Sequence, residues 1–428
     1  MRQLIVMTII ILVIAAGVLL YYKGTVSEGQ DTHHADNQAN HPKQENVKKD
    51  NQATGDDNTS GDGNRDEEGE LEKMNLDEKI GQLIFSGVEG TEMTADTEKM
   101  IQNAHVGGVI LFGDNIESGS QTVEFLNDIK KANTANPSPL LLGVDEEGGS
   151  VTRMPDDVRS LPKNQAIGKL DDADLSHQVG TLLGKQMSTL GFNLDFAPVM
   201  DVNSNPDNPF IGDRSFGDDP DMVSDLGIQT MKGIQEQGII SVIKHFPGHG
   251  DTGTDSHLEL PEIDKSYDDL NRLELIPFQN GIKNGADVTM IAHILLPQID
   301  PDHPASISEE VITNMLRDDL SFDGVVITDD LTMQAITDHV DIGDAALKSV
   351  QAGSDLLLVA HEYDNVETVF DRLKEAVQDG DLSEERIDES VKRIQALKKK
   401  YDIADDETGS PDLEKINEEI DAISKKVQ

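Results

Sequence analysis

No cysteine and no tryptophan occur in the 428 residues, aromatic residues make up 4%, and basic residues number 35 against 82 acidic ones. Each shortage excludes something. Without cysteine there are no disulfides, no thiolate metal ligands and no cysteine to carry a lipid. With so few rings, recognition must rest mainly on hydrogen bonds rather than on stacking. The formal charge of −47 repels a phosphate backbone, which sets nucleic acid aside as a partner. Few of the acids lie in 24–70, so the excess belongs mostly to the part of the chain patterned for folding.

The apolar residues that are present are sharply grouped. Residues 4–22 form one apolar run behind Arg2. At 1.5 Å per residue such a helix crosses a bilayer core of about 30 Å. We read 1–23 as an export signal that stays uncleaved as a membrane anchor, because no small-x-small cleavage site comes after it, with cleavage and secretion as the alternative. The charge at Arg2 keeps the N-terminus inside and places the remainder outside the cytoplasm. Residues 24–72 are polar and lack an apolar period, which predicts a disordered tether. His33, His34 and His41 are then solvated linker residues.

Between residues 73 and 402, short apolar runs alternate with amphipathic segments. The strands are predicted at 82–86, 108–112, 140–144, 192–198, 239–245, 288–294, 324–328 and 355–359. Helical spacing falls at 96–104, 121–132, 174–189, 221–237, 267–284, 309–319 and 343–352, with 366–378 and 383–400 completing an outer ring. Eight strands alternating with helices predict an α/β fold of the (β/α)8 barrel type in a single catalytic domain. Residues 403–428 read as a charged, partly helical tail without an evident role.

Sites in such barrels are built at the C-terminal ends of the strands. Asp145, Asp201, Lys244, His293 and Asp329 all fall there. The stretch Lys244 to His257, K-H-F-P-G-H-G-D-T-G-T-D-S-H, is too rich in glycine to be helical and too rich in titratable groups to be a plain connection. In it, Asp255 can orient and charge His257 to make a general acid/base. Asp329 comes directly after a buried strand, where a carboxylate can act as nucleophile, whereas Asp330 is placed to cap the next helix. Asp145, Arg153 and Arg214 join Lys244 as groups suited to sugar hydroxyls, with an ion-pair network at the rim as the competing account of the arginines. A metal site from His245, His249, Asp251 and His257 fits no strong zinc signature, so no metal and no cofactor is expected.

Together, the Lys244 to His257 motif, G-V-V-I-T-D-D-L at 324–331, N-P-F-I-G-D-R-S-F-G at 208–217 and V-D-E-E-G-G at 144–149 resemble family 3 glycoside hydrolases, in particular the β-N-acetylglucosaminidase branch. The resemblance covers about residues 73–400. It implies an exo-acting, retaining enzyme that removes terminal β-linked N-acetylglucosamine, typically from peptidoglycan fragments. By position in the motifs it makes Asp329 the nucleophile and the His257–Asp255 pair the acid/base. Asp145, Arg153, Arg214, Lys244 and His245 would hold the sugar. A histidine in place of the second carboxylate leaves phosphorolysis open as a variant, and β-glucosidase activity is a further one. A catalytically silent wall-binding module is the alternative from another class. The carbohydrate is the only partner expected, and a monomer the expected state. Where the family pattern often reads D-Q-E-G-G-R, this chain has Asp145-Glu146-Glu147-Gly148-Gly149-Ser150, so position 150 takes no role by analogy.

A surface this acidic is relieved when salt screens its self-repulsion. We expect the melting temperature and the activity to rise between low and molar salt. A flat response to salt would dismiss the idea that the surface is built for saline surroundings.

Overall fold

In the computed structural model of the protein, the structure describes residues 73–253 and 259–427. The anchor and tether read at 1–72 lie outside these residues. Among the described residues, no helix is long and apolar enough to cross a membrane.

The apolar runs fold as parallel strands: β1 (Ile84–Gly87), β2 (Gly108–Leu111), β3 (Leu141–Val144), β4 (Leu194–Asp195), β5 (Ile240–Phe246) and β6 (Val288–Ile291). A short antiparallel hairpin comes next, β7 (Leu295–Leu296) with β8 (Asp300–Pro304), before β9 (Val325–Thr328) and β10 (Leu357–Val359) rejoin the main sheet. That sheet has eight strands in the order β10-β1-β2-β3-β4-β5-β6-β9. Its two edges meet where Ile327 bridges Leu356 and where Asp355 and Leu356 donate their N–H groups to Val326 O at 2.8 and 2.9 Å. The sheet thus comes round on itself as a barrel. Strands buried on both faces read as continuous apolar runs, and this is why the eight strand positions show in the sequence.

Two rings fill the barrel between strands that are not neighbours. Phe85 on β1 meets Phe196, just past β4, edge to face with centroids 5.6 Å apart. Contact between the first and fourth strands is possible only across the interior. A Cβ on Gly108 would lie 2.6 Å from the Phe85 ring, and one on Gly143 would lie 2.9 Å from both rings. The glycines of β2 and β3 are therefore the space the rings occupy.

The crossover helices begin where the sequence offers side-chain caps. Asp172 and Asp219 each accept N–H bonds at the starts of Ala173–Leu190 and Pro220–Gln235, so part of the acid content serves helix ends. These two helices pack closely because Gly180 and Gly233 present bare backbone to each other's helix. The segment expected as one helix over 267–284 is instead Tyr267–Arg272 and Leu275–Lys283. Pro277 has no N–H to give Leu273, and the chain breaks there.

The tail is not idle. Asp405 accepts the Leu140 N–H at the entrance to β3 and an Asn133 amide hydrogen. The helix Leu413–Val427 then lays Ile416, Ile420 and Ile423 into the same core as the barrel. Asn417 exchanges hydrogen bonds with Arg159 N and Asp157 O. Charge dominates this segment in the sequence, and only the three isoleucines at helical spacing show its buried face. We expect Ile420→Ala to destabilise the fold by about 2–5 kcal/mol, read as a shift in the urea midpoint with little change in slope. No shift would mean that the helix adds nothing to the fold.

Candidate active site

β3 ends at Val144, and the chain reverses at once through Gly148 and Gly149, whose φ angles of 77° and 62° suit glycine. Glu147 N bonds Val151 O, and the turn keeps Asp145, Glu147 and Arg153 at the C-terminal mouth of the barrel. Asp145 and Glu147 alternate with Glu146, so the first two face one way. Both meet Lys244, near the end of β5, with each carboxylate oxygen 2.7 Å from Nζ. Lys244 is almost fully buried. Its ammonium has three hydrogens, and among the described residues two of them are directed at these carboxylates, which leaves one for a ligand.

Glu147 also takes Arg214 in bidentate fashion, Oε2 from Nε at 2.9 Å and Oε1 from Nη2 at 2.7 Å. The rest of the Arg214 guanidinium is aimed by Phe210 O at 3.3 Å and by His245 Nε2 at 3.3 Å. Arginine can only donate, so His245 accepts on Nε2 and carries its proton on Nδ1. That Nδ1 donates to Asp201 Oδ2 at 2.7 Å, while the other oxygen of Asp201 accepts the backbone N–H groups of His245 and His249.

The electrostatics come from burial set against pairing. Burial opposes ionisation of Glu147, but Arg214 and Lys244 outweigh it and hold the carboxyl well below the ordinary range. Burial pulls Lys244 down, yet Asp145 and Glu147 keep it above the usual lysine value, so it stays a cation. Asp201 is held low by His245 and His249 against its own burial. His249 is different. Burial pushes it down to about 4, and it is uncharged near neutrality. Its Nδ1 donates to Thr252 Oγ1 at 2.7 Å, and that hydroxyl donates in turn to His249 O.

These groups surround a cavity of about 650 Å³. Its lining includes Asp145, Arg153, Arg214, Lys244, His245 and Asp329, so six of the eight residues given a catalytic or sugar-holding role from the sequence meet in one place. The other two, Asp255 and His257, lie outside the described residues. Asp329 comes after β9, donates its N–H to Ile291 O, and accepts the Asp330 N–H on Oδ1 at 2.8 Å. Asp330 bonds the Thr332 N–H and hydroxyl and the Ala360 N–H, tying the turn to the end of β10. Asp251 pairs with Lys265 at 2.6 Å.

Two strand-end residues stand behind the cavity rather than in its lining. Asp201 acts through His245. His293 is fully buried, donates from Nε2 to Asp330 O at 2.9 Å and shares Nδ1 with Ser306 Oγ at 2.6 Å. Both of its nitrogens are spent on structure. Sequence reasoning missed the role of Glu147, which is the hinge of the network, and it missed Asp195 and Glu146 beneath it. The signal for Asp195 was available: an acid inside the apolar run F-N-L-D-F-A-P-V-M. Among the described residues, no group of three or more His, Asp and Glu is arranged to hold a metal ion.

Residues 75–397 match the glycosyl hydrolase family 3 N terminal domain. The chain belongs to that family. It is 33% identical over 361 residues to Beta-hexosaminidase A of Pseudoalteromonas piscicida, an alignment covering 77% of this chain and 60% of the relative. It is 34% identical over 293 residues to a Beta-hexosaminidase of Nitrosomonas eutropha, covering 67% and 83% respectively. Among solved structures it is similar to a family 3 β-N-acetylglucosaminidase from Paenibacillus sp. str. FPU-7. That likeness has a TM-score of 0.79 and 40% identity over 83% of this chain and 69% of the other. In this family 3 barrel the Lys244–Glu147–Arg214 cluster should be costly to break.

We expect Glu147→Leu to lose about 3–5 kcal/mol at neutral pH, because two buried cations lose their shared partner. The folded carboxyl titrates below its unfolded value. The stabilisation it gives is therefore complete above the ordinary glutamate range and fades as pH falls through that range toward the lower folded value. Urea titrations at neutral and acidic pH test both points. A variant as stable as the parent would show that the pairs add no stability.

Proposed function

We propose that this family 3 glycoside hydrolase removes terminal non-reducing β-linked N-acetylglucosamine, with peptidoglycan fragments as its natural source. The observation that carries the reading is the convergence of Asp145, Arg153, Arg214, Lys244, His245 and Asp329 on a single cavity at the mouth of the barrel. Lys244 and Arg214 are charged donors with fixed directions, and Asp145 is an acceptor. Such a set suits the hydroxyls of one sugar ring. His245 serves by holding Arg214. The hexosaminidase relatives support the sugar, and the Paenibacillus relative supports the acetamido group at its second carbon.

In the proposed reaction an oxygen of Asp329 attacks the anomeric carbon as the bond to the leaving oxygen breaks. His257, charged and oriented by Asp255, gives that oxygen its proton. Water then attacks the anomeric carbon from the face the leaving group vacated, His257 takes the proton of that water, and the bond to Asp329 breaks. Two inversions give retention. With a histidine in place of a second catalytic carboxylate, phosphate is a feasible acceptor in place of water. We place the enzyme outside the cytoplasm, held by residues 1–23 through the tether at 24–72.

The test is turnover of an aryl β-N-acetylglucosaminide against the matching glucoside, with and without phosphate, alongside labelling by a slow 2-fluoro glycoside. We expect hydrolysis of the former substrate and sugar mass on the peptide that carries Asp329. Preference for the glucoside, or release of a sugar phosphate, would move the chain to a β-glucosidase or a phosphorylase reading. Mass on another carboxylate would remove Asp329 from its role, and no turnover at all would favour a wall-binding module.

A further inference from the structure

Beneath the sugar cavity lies a second set of ionisable groups for which the reaction has no use. Glu146 sits between Asp145 and Glu147 in sequence but points the other way, into the protein, and is fully buried. It meets Asp195 at the end of β4, also fully buried, whose Oδ1 accepts the Glu146 N–H at 3.1 Å. Glu146 Oε2 accepts the Arg153 N–H at 2.9 Å. Three buried polar atoms here have no hydrogen-bond partner among the described residues: Glu146 Oε1, Asp195 Oδ2 and Arg153 Nε. Two orphaned carboxyl oxygens and one orphaned guanidinium hydrogen on three linked residues form an unbalanced arrangement.

We propose that Glu146 is a proton-dependent positioning residue: while its carboxyl is protonated it leaves the Arg153 guanidinium to the sugar, and when it ionises it draws that guanidinium inward. The inference rests on reading Arg153 as a sugar-holding residue. The charges acting on Glu146 are few. Glu147 is already matched by Lys244 and Arg214, and Asp145 is matched by Lys244. Even so, Glu147 acts against ionisation, and Thr152 and Arg153 act for it; charge on either of Glu146 and Asp195 opposes charge on the other. Burial outweighs these and pushes Glu146 up to about 7, while burial and Glu146 together raise Asp195 well above the usual carboxylate range. A protonated Glu146 has a hydrogen to offer the orphaned acceptors. Once that proton leaves to solvent, the cation in the same loop without a carboxylate of its own among the described residues is Arg153, whose main chain already rests on Glu146. Where the family pattern often has glutamine at this position, an amide would hold the loop without any dependence on pH.

Steady-state kinetics on an aryl β-N-acetylglucosaminide, from about pH 6 to about pH 8.5, should show KM rising about tenfold in the parent enzyme. The pH dependence of kcat should be shared by all variants. In Glu146→Gln the rise in KM should vanish, and in Asp195→Asn it should persist, moved to lower pH. Difference infrared spectroscopy should show a protonated-carboxyl band that bleaches over the same range in the parent and is missing from Glu146→Gln. A KM rise that survives Glu146→Gln overturns the proposal, as does a parent lacking that band. A rise abolished only by Asp195→Asn would also overturn it, by giving the role to the other acid. No turnover at any pH would sink the hydrolase reading and this inference with it, whereas turnover with a flat KM sinks the inference alone. Unfolding supplies a control independent of activity. The folded carboxyl titrates above its unfolded value, so Glu146 should cost the parent stability as pH rises from the ordinary glutamate range to about 7, and Glu146→Gln should lessen that loss.

Discussion

Glu147 is a carboxylate out of contact with water, gripped by an arginine on one side and a lysine on the other. Taking three charges out of water costs several kcal/mol for each ion, and a cluster of apolar side chains would fill the same space more cheaply. What the cluster gives in return is direction. One carboxylate fixes the loop after β3, the end of β5 and the turn-rich segment 208–217 relative to one another, because its two oxygens are claimed by groups from the other two. Arg214 is further held by Phe210 O and His245, and His245 by Asp201. Lys244 and Arg214, which face the cavity, are thus both aimed by Glu147, which does not line it. A site that must meet several hydroxyls at set angles needs this kind of preorganisation more than it needs stability.

The barrel makes the arrangement possible by bringing distant residues to a common rim. Asp145 and Lys244 stand 99 positions apart in the chain yet only two strands apart in the sheet. β4 runs between them, and its last residue, Asp195, sits below the clamp rather than in it. The interior beneath is closed by Phe85 and Phe196 against the glycines of β2 and β3. Polar groups accordingly gather at the mouth, where water and ligand can reach them.

Much of this was legible in the sequence. Buried parallel strands show as apolar runs, and the residue after each run is marked by its position alone. That was enough to pick out Asp145, Lys244 and Asp329; Arg153 and Arg214 were read as sugar donors from their own segments, and the motif resemblance added His245. What could not be read was the direction of side chains in an irregular turn. Asp145, Glu146 and Glu147 are three acids in a row, and nothing local says that two face Lys244 and one faces the core. Position after a strand also failed to separate Asp329, which lines the cavity, from His293, whose nitrogens are both spent holding Asp330 O and Ser306. The tail misled for a related reason: three isoleucines are a weak signal among so many charges.

A count of charge around the mouth shows why the silent acids matter to the active ones. Lys244, Arg214 and Arg153 contribute three positive charges, and Asp145, Glu147 and Asp201 three negative ones. This set is balanced only while burial keeps Glu146 and Asp195 protonated and His249 uncharged. Asp329 and Asp330 then add negative charge at the cavity, and Asp213 in its lining is paired with Lys163. A neutral sugar enters without upsetting the balance, so its ground state gains hydrogen bonds and little more. The positive charge that develops at the anomeric carbon in the proposed reaction does face a net negative mouth, and it gains what the ground state does not. Ionisation of the buried acids would deepen that negative potential, but it would do so by turning a guanidinium away from the sugar. Binding and charge stabilisation therefore pull against each other at this point, and the burial of two carboxyls is what resolves them in favour of binding.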